Sequence, residues 1–265
     1  MQRTRSVYIF DLDGVVTNPR DSKVDKEVVI SMSRLLMNEY LLAINTGRSF
    51  QWVEENILGQ LVAGVSDEKR DNLIIICEKG GETVKWQGGR WAMQSSQFAL
   101  PPVLYQKTKD IFDSLSGRLP TMFWDATKRT MATIEKDPQS DLAGFHAEQR
   151  ILVDALQSGL AGMEVRIDAT TIAIDIESPS AGKHAGAELI YRWCQEAAGE
   201  YFCFGDSVSD YEMARYFADQ GAKVSFVYVG EPTDDILCHK DVTFIASSAR
   251  FAAGVREYFM MVDNE

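Results

Sequence analysis

The sequence predicts an α/β protein in which a doubly wound parallel sheet is interrupted by an inserted α+β domain. At both ends of the 265-residue chain, short apolar runs alternate with helical patterns, which is typical of βαβ units covered by helices on both faces. Between these ends the order changes to helix–strand–strand, repeated once, which favours an antiparallel sheet with helices on one face. We expect a core of residues 1–83 and 179–265 and an inserted domain of residues 84–178.

The first α/β region supplies three strands of the predicted sheet. The strands are the apolar runs 7–10, 41–45 and 73–77. Between the first two, apolar residues recur at helical spacing, at Val24, Val28, Met32, Leu35 and Leu36. A second helix is expected over residues 51–58. The order strand, helix, strand, helix, strand predicts a parallel sheet.

The middle of the chain follows a different pattern. A hairpin is expected first, with strands 83–86 and 90–93 joined at Gly88-Gly89. The αββαββ order follows, with helices 103–115 and 145–156 and strands 121–125, 130–135, 163–167 and 171–176. We assign the hairpin and this repeated unit together to the inserted domain.

The α/β pattern returns near Gly182 and completes the predicted core. Its helices are expected at 182–198, 211–217 and 249–261, and its strands at 201–204, 224–229 and 242–245. Continuous apolar strands of this kind suit a sheet that is covered on both faces.

Composition and charge narrow the classes of function. The apolar fraction of 45% and the charged fraction of 25% are ordinary for a soluble globular protein. The formal net charge is −12 and no run of Lys and Arg resembles a phosphate-backbone footprint, so we expect no nucleic-acid partner. No window approaches the ~18 apolar residues that span a bilayer, and the first apolar run does not fit a signal peptide.

Cysteine usage favours a reduced, cytoplasmic protein. The four cysteines show no Cys-x-x-Cys spacing, and we expect small buried side chains rather than a zinc site or a disulfide framework. They are Cys77, Cys194, Cys203 and Cys238.

Two aspartates follow the first predicted strand with one residue between them. Because side chains alternate along an extended chain, Asp11 and Asp13 can point the same way at the carboxyl end of the strand, where ligands bind in open α/β sheets. Two carboxylates beside the Gly14 turn suit a metal ion and a reacting electrophile. The alternative is a polar turn without chemistry.

Two further segments carry groups that can hold phosphoryl oxygens. Thr46-Gly47 follows the second strand and offers a hydroxyl and backbone N–H groups, although Thr46 could instead cap the next helix. Lys183 stands at a helix start, where the helix dipole disfavours a cation. A lysine there makes more sense if anions lie in front of it, and a solvated surface lysine is the alternative.

The last candidate segment is Gly205-Asp206-Ser207-Val208-Ser209-Asp210, a strand that runs into acidic residues at a turn. Mg²⁺ is usually held by one or two carboxylates together with water and substrate phosphate. The segment therefore predicts a metal ligand at Asp206, with a helix N-cap as the alternative.

The four segments occur in the order Asp-x-Asp, Thr, Lys, Gly-Asp-x-x-x-Asp, and in this order the chain resembles the haloacid dehalogenase superfamily of phosphohydrolases. The matching segments are Asp11-Leu12-Asp13-Gly14-Val15-Val16-Thr17, Thr46-Gly47-Arg48, Lys183 and Gly205-Asp206-Ser207-Val208-Ser209-Asp210. The αββαββ insert is similar to the C2B cap of the Cof-like and sugar-phosphatase branch (subfamily IIB). Glu78-Lys79-Gly80-Gly81 resembles that branch's Glu-Asn-Gly-Ala turn, with Lys79 in place of asparagine. The resemblance implies a Rossmann-like core with an inserted cap.

The resemblance also implies roles in the chemistry. Asp11 would be the nucleophile, and Asp13 would act as general acid and then as general base. Thr46, Gly47 and Lys183 would bind the phosphoryl group, and Lys183 would also restrain Asp11.

The same resemblance implies a Mg²⁺ site. The carboxylate of Asp11 and the backbone carbonyl of Asp13 would be metal ligands, together with Asp206. Asp210 would be a further acidic member of the metal site. Ser209 departs from the branch, which usually has asparagine before the last aspartate, and this leaves the polar contacts around Asp210 open.

The function implied is a Mg²⁺-dependent phosphatase of a small phosphorylated metabolite, of the sugar phosphate or phosphoglycerate type, acting through an aspartyl-phosphate. Lys128, Arg129 and Arg166 are the candidates for leaving-group contacts in the inserted domain. The nearest alternative is a phosphomannomutase-like phosphosugar mutase, and a more distant one is a non-catalytic metabolite-binding protein on the same fold. We expect no membrane partner, and either a monomer or a homodimer.

Overall fold

The computed structural model describes residues 5–19, 21–194, 197–233 and 239–262. The chain divides into two compact units. The core unit consists of Met1–Gln94 and Gly182–Glu265, and the inserted unit consists of Ser95–Ala181. Each unit has its own hydrophobic core within these boundaries.

The core unit is built on an eight-stranded sheet with the order β12-β11-β10-β1-β2-β3-β4-β5. The first six strands in this order run parallel, and β4 pairs with β3 in the antiparallel direction. The strands are β1 (Arg5–Phe10), β2 (Leu41–Asn45), β3 (Leu73–Cys77), β4 (Glu82–Gln87), β5 (Arg90–Ser95), β10 (Ala198–Gly205), β11 (Val224–Tyr228) and β12 (Val242–Ala246).

Helices cover both faces of this sheet. One face packs against α1 (Lys26–Met37), α2 (Phe50–Val53), α3 (Gly59–Leu61) and α9 (Ala252–Val262), and the other packs against α7 (Lys183–Cys194) and α8 (Val208–Asp219). A π-helical turn (Glu54–Leu58) joins α2 to α3, and the short α4 (Asp67–Arg70) precedes β3.

Strand β1 shows how the sequence produces the two covered faces. Tyr8 and Phe10 point into the core beneath α1 and α9, whereas Val7 and Ile9 point into the core beneath α7 and α8. All four side chains are buried, because successive residues of a strand face opposite sides of a sheet that is covered on both. The predicted fold class, a doubly wound α/β core, is confirmed.

The observed boundaries differ from the predicted ones at both ends of the inserted unit, which spans Ser95–Ala181 rather than residues 84–178. The hairpin of β4 and β5 continues the large sheet, so the core unit extends to Gln94 rather than to residue 83. The reason is the pairing of β4 with β3, in which Val84 lies opposite Ile75 and both are buried. The helix expected over 182–198 is described as Lys183–Cys194, and the next strand already begins at Ala198.

The inserted unit contains a four-stranded antiparallel sheet with the order β6-β7-β9-β8. Its elements are α5 (Pro102–Leu115), a 3₁₀ turn (Ser116–Arg118), β6 (Met122–Trp124), β7 (Ala132–Lys136), α6 (Leu142–Gly159), β8 (Arg166–Ala169) and β9 (Ala173–Glu177). Phe112 of α5 and Phe145 of α6 pack against Ile134 and Ile174 of the sheet. This is the predicted αββαββ order.

Among the described residues, no helix combines the length and the apolar character needed to cross a bilayer. Cys77, Cys194 and Cys203 are buried, as expected for small apolar side chains. Cys238 lies outside the described residues.

Candidate active site

Three neighbouring parallel strands bring the predicted segments to one edge of the core sheet. In the register of these strands Phe10 lies beside Ile44 of β2 and beside Phe204 of β10. Each strand ends within one residue of this level, so Asp11, Thr46 and Asp206 emerge at the same carboxyl edge. Ligands bind at this edge in open α/β sheets.

Lys183, the first residue of α7, is the central cation of the site. Its ammonium forms an ion pair with Asp11 Oδ1, lies 2.9 Å from Asp210 Oδ1, and donates a hydrogen bond of 2.8 Å to the backbone oxygen of Asn45. A lysine ammonium has three donors, and all three are used here. With 12% of its side chain exposed, Lys183 is not a solvated surface lysine.

Asp210 is held in place by the turn that precedes α8. Its Oδ2 accepts hydrogen bonds from the backbone N–H groups of Asp206 and Ser207, both at 3.1 Å, and from the Ser207 hydroxyl at 2.6 Å. Ser207, and not Asp206, is the N-cap of α8, and it forms a capping box with Asp210. The side chain of Asp206 is therefore not needed to cap the helix.

Three carboxylates of the site are close enough to share one cation. Asp11, Asp206 and Asp210 each place an oxygen within 4.8 Å of the other two. A Cβ at Gly14 would lie 1.9 Å from Asp206 Oδ2, and the φ of Gly14 is +75°, so glycine is required for this approach. Carboxylate oxygens are hard donors, which is the ligand type that Mg²⁺ prefers.

The electrostatics of the cluster also favour a cation. Burial raises the pKa of Asp11, with further upward contributions from Asp210 and Asp13 and an opposing one from Lys183. Burial and the neighbouring Asp210 raise the pKa of Asp206 to about 7. Burial works against the ammonium of Lys183, but Asp11 and Asp210 outweigh it and raise its pKa. One ammonium thus faces three carboxylates, and these residues fit a divalent ion.

Thr46 lies fully buried on the adjacent strand end. Its hydroxyl accepts a hydrogen bond from the Arg48 N–H at 3.1 Å. The N-cap of α2 is Ser49, whose hydroxyl accepts from the Trp52 N–H at 3.3 Å. The helix-cap alternative for Thr46 is therefore wrong.

Asp13 lies beside Arg48, for which the sequence predicted no role. The guanidinium of Arg48 donates from Nη2 to Asp13 Oδ1 at 2.7 Å and from Nε to Oδ2 at 3.0 Å. Its position directly after Thr46-Gly47, at the same edge of the sheet, could have identified Arg48 from the sequence.

A strained turn after β3 connects the two segments predicted to bind the phosphoryl group. The Lys79 N–H donates to the Thr46 oxygen at 3.0 Å, and the Lys79 oxygen accepts from the Gly182 N–H at 2.7 Å. Glu78, Lys79 and Gly80 all have positive φ, at 52°, 55° and 98°. Such backbone in non-glycine residues is uncommon and occurs preferentially at functional sites. No role for this turn was predicted from the sequence.

The three candidates in the inserted unit have different surroundings. Lys128 is buried, Arg129 is exposed, and the Arg166 guanidinium is bound to Glu177 and to the Ala181 oxygen. A role for these residues in contacting a leaving group remains a prediction.

No protein-family model and no curated protein matches the sequence. Solved structures do match its fold. The C-terminal domain of trehalose-6-phosphate phosphatase from C. albicans has a TM-score of 0.67 and 15% identity, over 99% of this chain and 93% of that one. A haloacid dehalogenase-like hydrolase from Bacteroides thetaiotaomicron has a TM-score of 0.62 and 15% identity, over 98% and 100% of the two chains.

The chain has the haloacid dehalogenase-like fold. The sucrose-phosphatase of Synechocystis sp. PCC6803 shares it, with a TM-score of 0.56 and 14% identity over 98% of both chains. The resemblance found in the four sequence segments is thus confirmed at the level of the fold. Within the haloacid dehalogenase-like core of this protein, Asp11, Lys183, Asp206 and Asp210 form one cluster.

Proposed function

We propose that this protein is a Mg²⁺-dependent phosphatase that hydrolyses a small phosphorylated metabolite through an aspartyl-phosphate at Asp11. The observation that carries the proposal is the position of Asp11: a buried carboxylate at the end of the central strand, paired with Lys183 and surrounded by Asp206 and Asp210. Structures with the same fold include a trehalose-6-phosphate phosphatase and a sucrose-phosphatase, which supports a sugar phosphate as the substrate class.

In the first step a carboxylate oxygen of Asp11 attacks phosphorus while the bond to the leaving oxygen breaks. The Asp13 carboxyl gives its proton to that oxygen, so the products are an alcohol, a phosphorylated Asp11 and an ionised Asp13. The ammonium of Lys183 reduces the repulsion between the anionic nucleophile and the anionic phosphoryl group. Thr46 and the N–H groups around Gly47 contribute donors to the phosphoryl oxygens.

In the second step water attacks phosphorus and the bond to Asp11 breaks. The ionised Asp13 takes a proton from this water, and inorganic phosphate leaves. Asp11 returns to a carboxylate and Asp13 is protonated again, so the cycle closes without a further reactant.

Asp11 and Asp206, together with the backbone oxygen of Asp13, would hold the metal ion, with Asp210 beside them. When bound, Mg²⁺ supplies positive charge against the phosphoryl oxygens. Asp210 also anchors Lys183. Its Oδ1 pairs with the ammonium of Lys183, while its Oδ2 accepts from Ser207, the N-cap of α8.

The test is phosphate release from a panel of sugar phosphates and other phosphate monoesters, with Mg²⁺ and with a chelator. We expect release with Mg²⁺, loss with the chelator, and no turnover by Asp11→Asn. The matched control is Asp67→Asn, at an exposed carboxylate, which should keep the wild-type rate. An Asp11→Asn variant with most of the wild-type rate would contradict the proposal. Formation of an isomeric sugar phosphate in place of free phosphate would indicate a mutase.

A further inference from the structure

The turn after β3 fixes the backbone of Lys79 between two segments of the candidate site. The Lys79 N–H donates to the Thr46 oxygen at 3.0 Å, and the Lys79 oxygen accepts from the Gly182 N–H at 2.7 Å. A Cβ at Gly80 would lie 2.9 Å from the Cβ of Ala185, so the turn packs directly against α7. The side chain of Lys79 therefore starts from a fixed point at the carboxyl edge of the sheet.

From this turn the half-buried side chain of Lys79 extends across Gly47. A Cβ built at Gly47 would lie 3.7 Å from Cγ and 3.9 Å from Cε of Lys79. Within 4 Å it would meet no other atom of the described residues beyond its two chain neighbours. Since Nζ is bonded to Cε, the positive charge of Lys79 is carried to the side of Gly47, next to the N–H groups that can hold phosphoryl oxygens.

Lysine is not the residue type that this backbone favours. Lys79 has φ 55° and ψ 35°, in the left-handed region that glycine and asparagine adopt more readily. Residues held in sparsely populated backbone regions cluster at functional sites, where the surrounding structure maintains them. A lysine kept in such a conformation, with its stem laid over Gly47, indicates a task for its ammonium.

The phosphoryl group needs a cationic donor besides Lys183. The three donors of Lys183 go to two carboxylates and a backbone oxygen, so its charge is near the phosphoryl group but its N–H bonds are directed at the protein. The guanidinium of Arg48 is directed at Asp13. A phosphate monoester brings further negative charge to a site that already contains three clustered carboxylates, and hydrogen bonds from a cation are the strong ones for such an anion.

We propose that Lys79 is a substrate-binding residue that donates to the phosphoryl group from the side of Gly47. This inference rests on the proposed function, because it adds a residue to the site for the phosphoryl group. The two lysines then have different tasks. Lys183 restrains the nucleophile Asp11, and Lys79 binds the phosphoryl oxygens that Thr46 and the N–H groups around Gly47 also hold.

The first experiment measures the affinity for inorganic phosphate in the presence of Mg²⁺, by calorimetry and by the rise in melting temperature. For Lys79→Met we expect the Kd to rise about tenfold or more, since a charge-assisted hydrogen bond is lost. The matched control is Lys223→Met, which removes the same charge from an exposed lysine paired with Glu200 at 3.1 Å, at the start of β11 and so at the opposite edge of the sheet. The control should bind phosphate as the wild type does. A Kd for Lys79→Met within twofold of wild type would overturn the proposal.

A second variant separates the ammonium from the conformation of the turn. Glycine suits the left-handed backbone at this position, so Lys79→Gly should melt no lower than Lys79→Met. We expect both variants to lose the same factor in phosphate affinity. Wild-type affinity in Lys79→Gly would show that the backbone of the turn matters and the ammonium does not, which would overturn the proposal.

The third experiment distinguishes the phosphoryl group from the leaving group. Lys79→Met should lower kcat/KM by a similar factor for a neutral sugar phosphate and for phosphoglycerate, because the phosphoryl group is common to both. A loss confined to phosphoglycerate would overturn the proposal, since Lys79 would then bind the carboxylate of the leaving group.

The proposed function and the role of Lys79 fail in different ways. If the wild-type protein releases no phosphate from any ester, the proposed function itself fails. An active wild type whose phosphate affinity survives in Lys79→Met overturns the role of Lys79 alone.

Discussion

At the scale of residues, the site is defined by an imbalance of charge. One ammonium, that of Lys183, is in direct contact with Asp11 and Asp210, and Asp206 lies beside them without such a partner among the described contacts. Removing three carboxylates from water is costly unless positive charge compensates them. The cluster therefore has a built-in preference for a cation, and its protonation should depend on whether one is bound.

The pH dependence of stability tests this imbalance in the presence of a chelator. The pKa of Asp206 in the folded protein is about 7, against 3.8 for an ordinary aspartate, and that of Asp11 is also raised. Between these pKa values the native state thus binds more protons than the unfolded state. The stability that these two carboxyl groups contribute is therefore full at low pH and is lost as the pH rises through this window. We expect the melting temperature of the chelated protein to fall across this window. The free energy of unfolding should fall by at most about 1.4 kcal/mol per pH unit for each proton involved.

Two comparisons isolate the carboxylates from other titrating groups. In Asp206→Asn the melting temperature should fall less steeply with pH. Mg²⁺ should raise the melting temperature more at the upper end of the pH window than at the lower end. A chelated protein whose stability rises steadily through the window, or an Asp206→Asn variant with an unchanged profile, would contradict this account.

At the scale of elements, the site depends on how closely α7 approaches the end of β2. The Asn45 side chain donates to the Lys183 backbone oxygen at 2.9 Å, and a Cβ at Gly186 would lie 2.1 Å from Asn45 Oδ1. Both residues are buried. Gly186 therefore permits the contact that brings Lys183 to the sheet edge.

This contact predicts opposite effects of the same substitution in two helices. Gly→Ala within a helix ordinarily stabilises a protein by about 0.5–1 kcal/mol, and we expect this at Gly59, where an added Cβ meets nothing within 4 Å. Gly186→Ala should instead destabilise by roughly 1–3 kcal/mol, because it forces α7 away from Asn45. Chemical denaturation measures both values. Similar changes at the two sites would show that α7 tolerates the displacement.

The sequence was sufficient to predict the elements whose signal is local. Strands such as β2 and β3 are continuous apolar runs, and the helix expected to start near Lys183 is confirmed as α7. The assignment of the hairpin to the inserted domain was wrong. Its membership of the large sheet depends on pairing between β4 and β3, and the sequence of neither strand specifies its partner.

The site could be predicted in part for the same physical reason. Asp11, Asp206 and Lys183 occur at strand ends or a helix start, which places them on a common edge. The fork between Arg48 and Asp13 and the hydrogen bonds of Lys79 to Thr46 and Gly182 could not be predicted, because each depends on contacts between groups distant in sequence. The Ser207 cap was also missed, since the neighbouring Asp206 is an equally good capping residue type.

At the scale of the whole molecule, every segment of the candidate site belongs to the core unit. Asp11, Asp13, Thr46, Lys183, Asp206 and Asp210 all lie in Met1–Gln94 or Gly182–Glu265. The inserted unit, Ser95–Ala181, is continuous in sequence and has its own buried cluster beneath a four-stranded sheet. The three carboxylates that could hold a metal ion therefore all lie in the core unit.

This division predicts what a core without Ser95–Ala181 would do. Joining Gln94 to Gly182 through a flexible Gly/Ser linker should leave the Mg²⁺-induced rise in melting temperature intact, because the three carboxylates and Lys183 are unchanged. We expect discrimination among phosphate esters, measured as the spread of kcat/KM over a panel, to narrow, since the core supplies contacts to the phosphoryl group and the inserted unit carries the candidates for leaving-group contacts. Asp11→Asn in the same shortened chain is the matched control and should remove any residual turnover. A folded core that has lost its response to Mg²⁺ would show that the metal site depends on the inserted unit, and unchanged discrimination would show that the core selects the substrate.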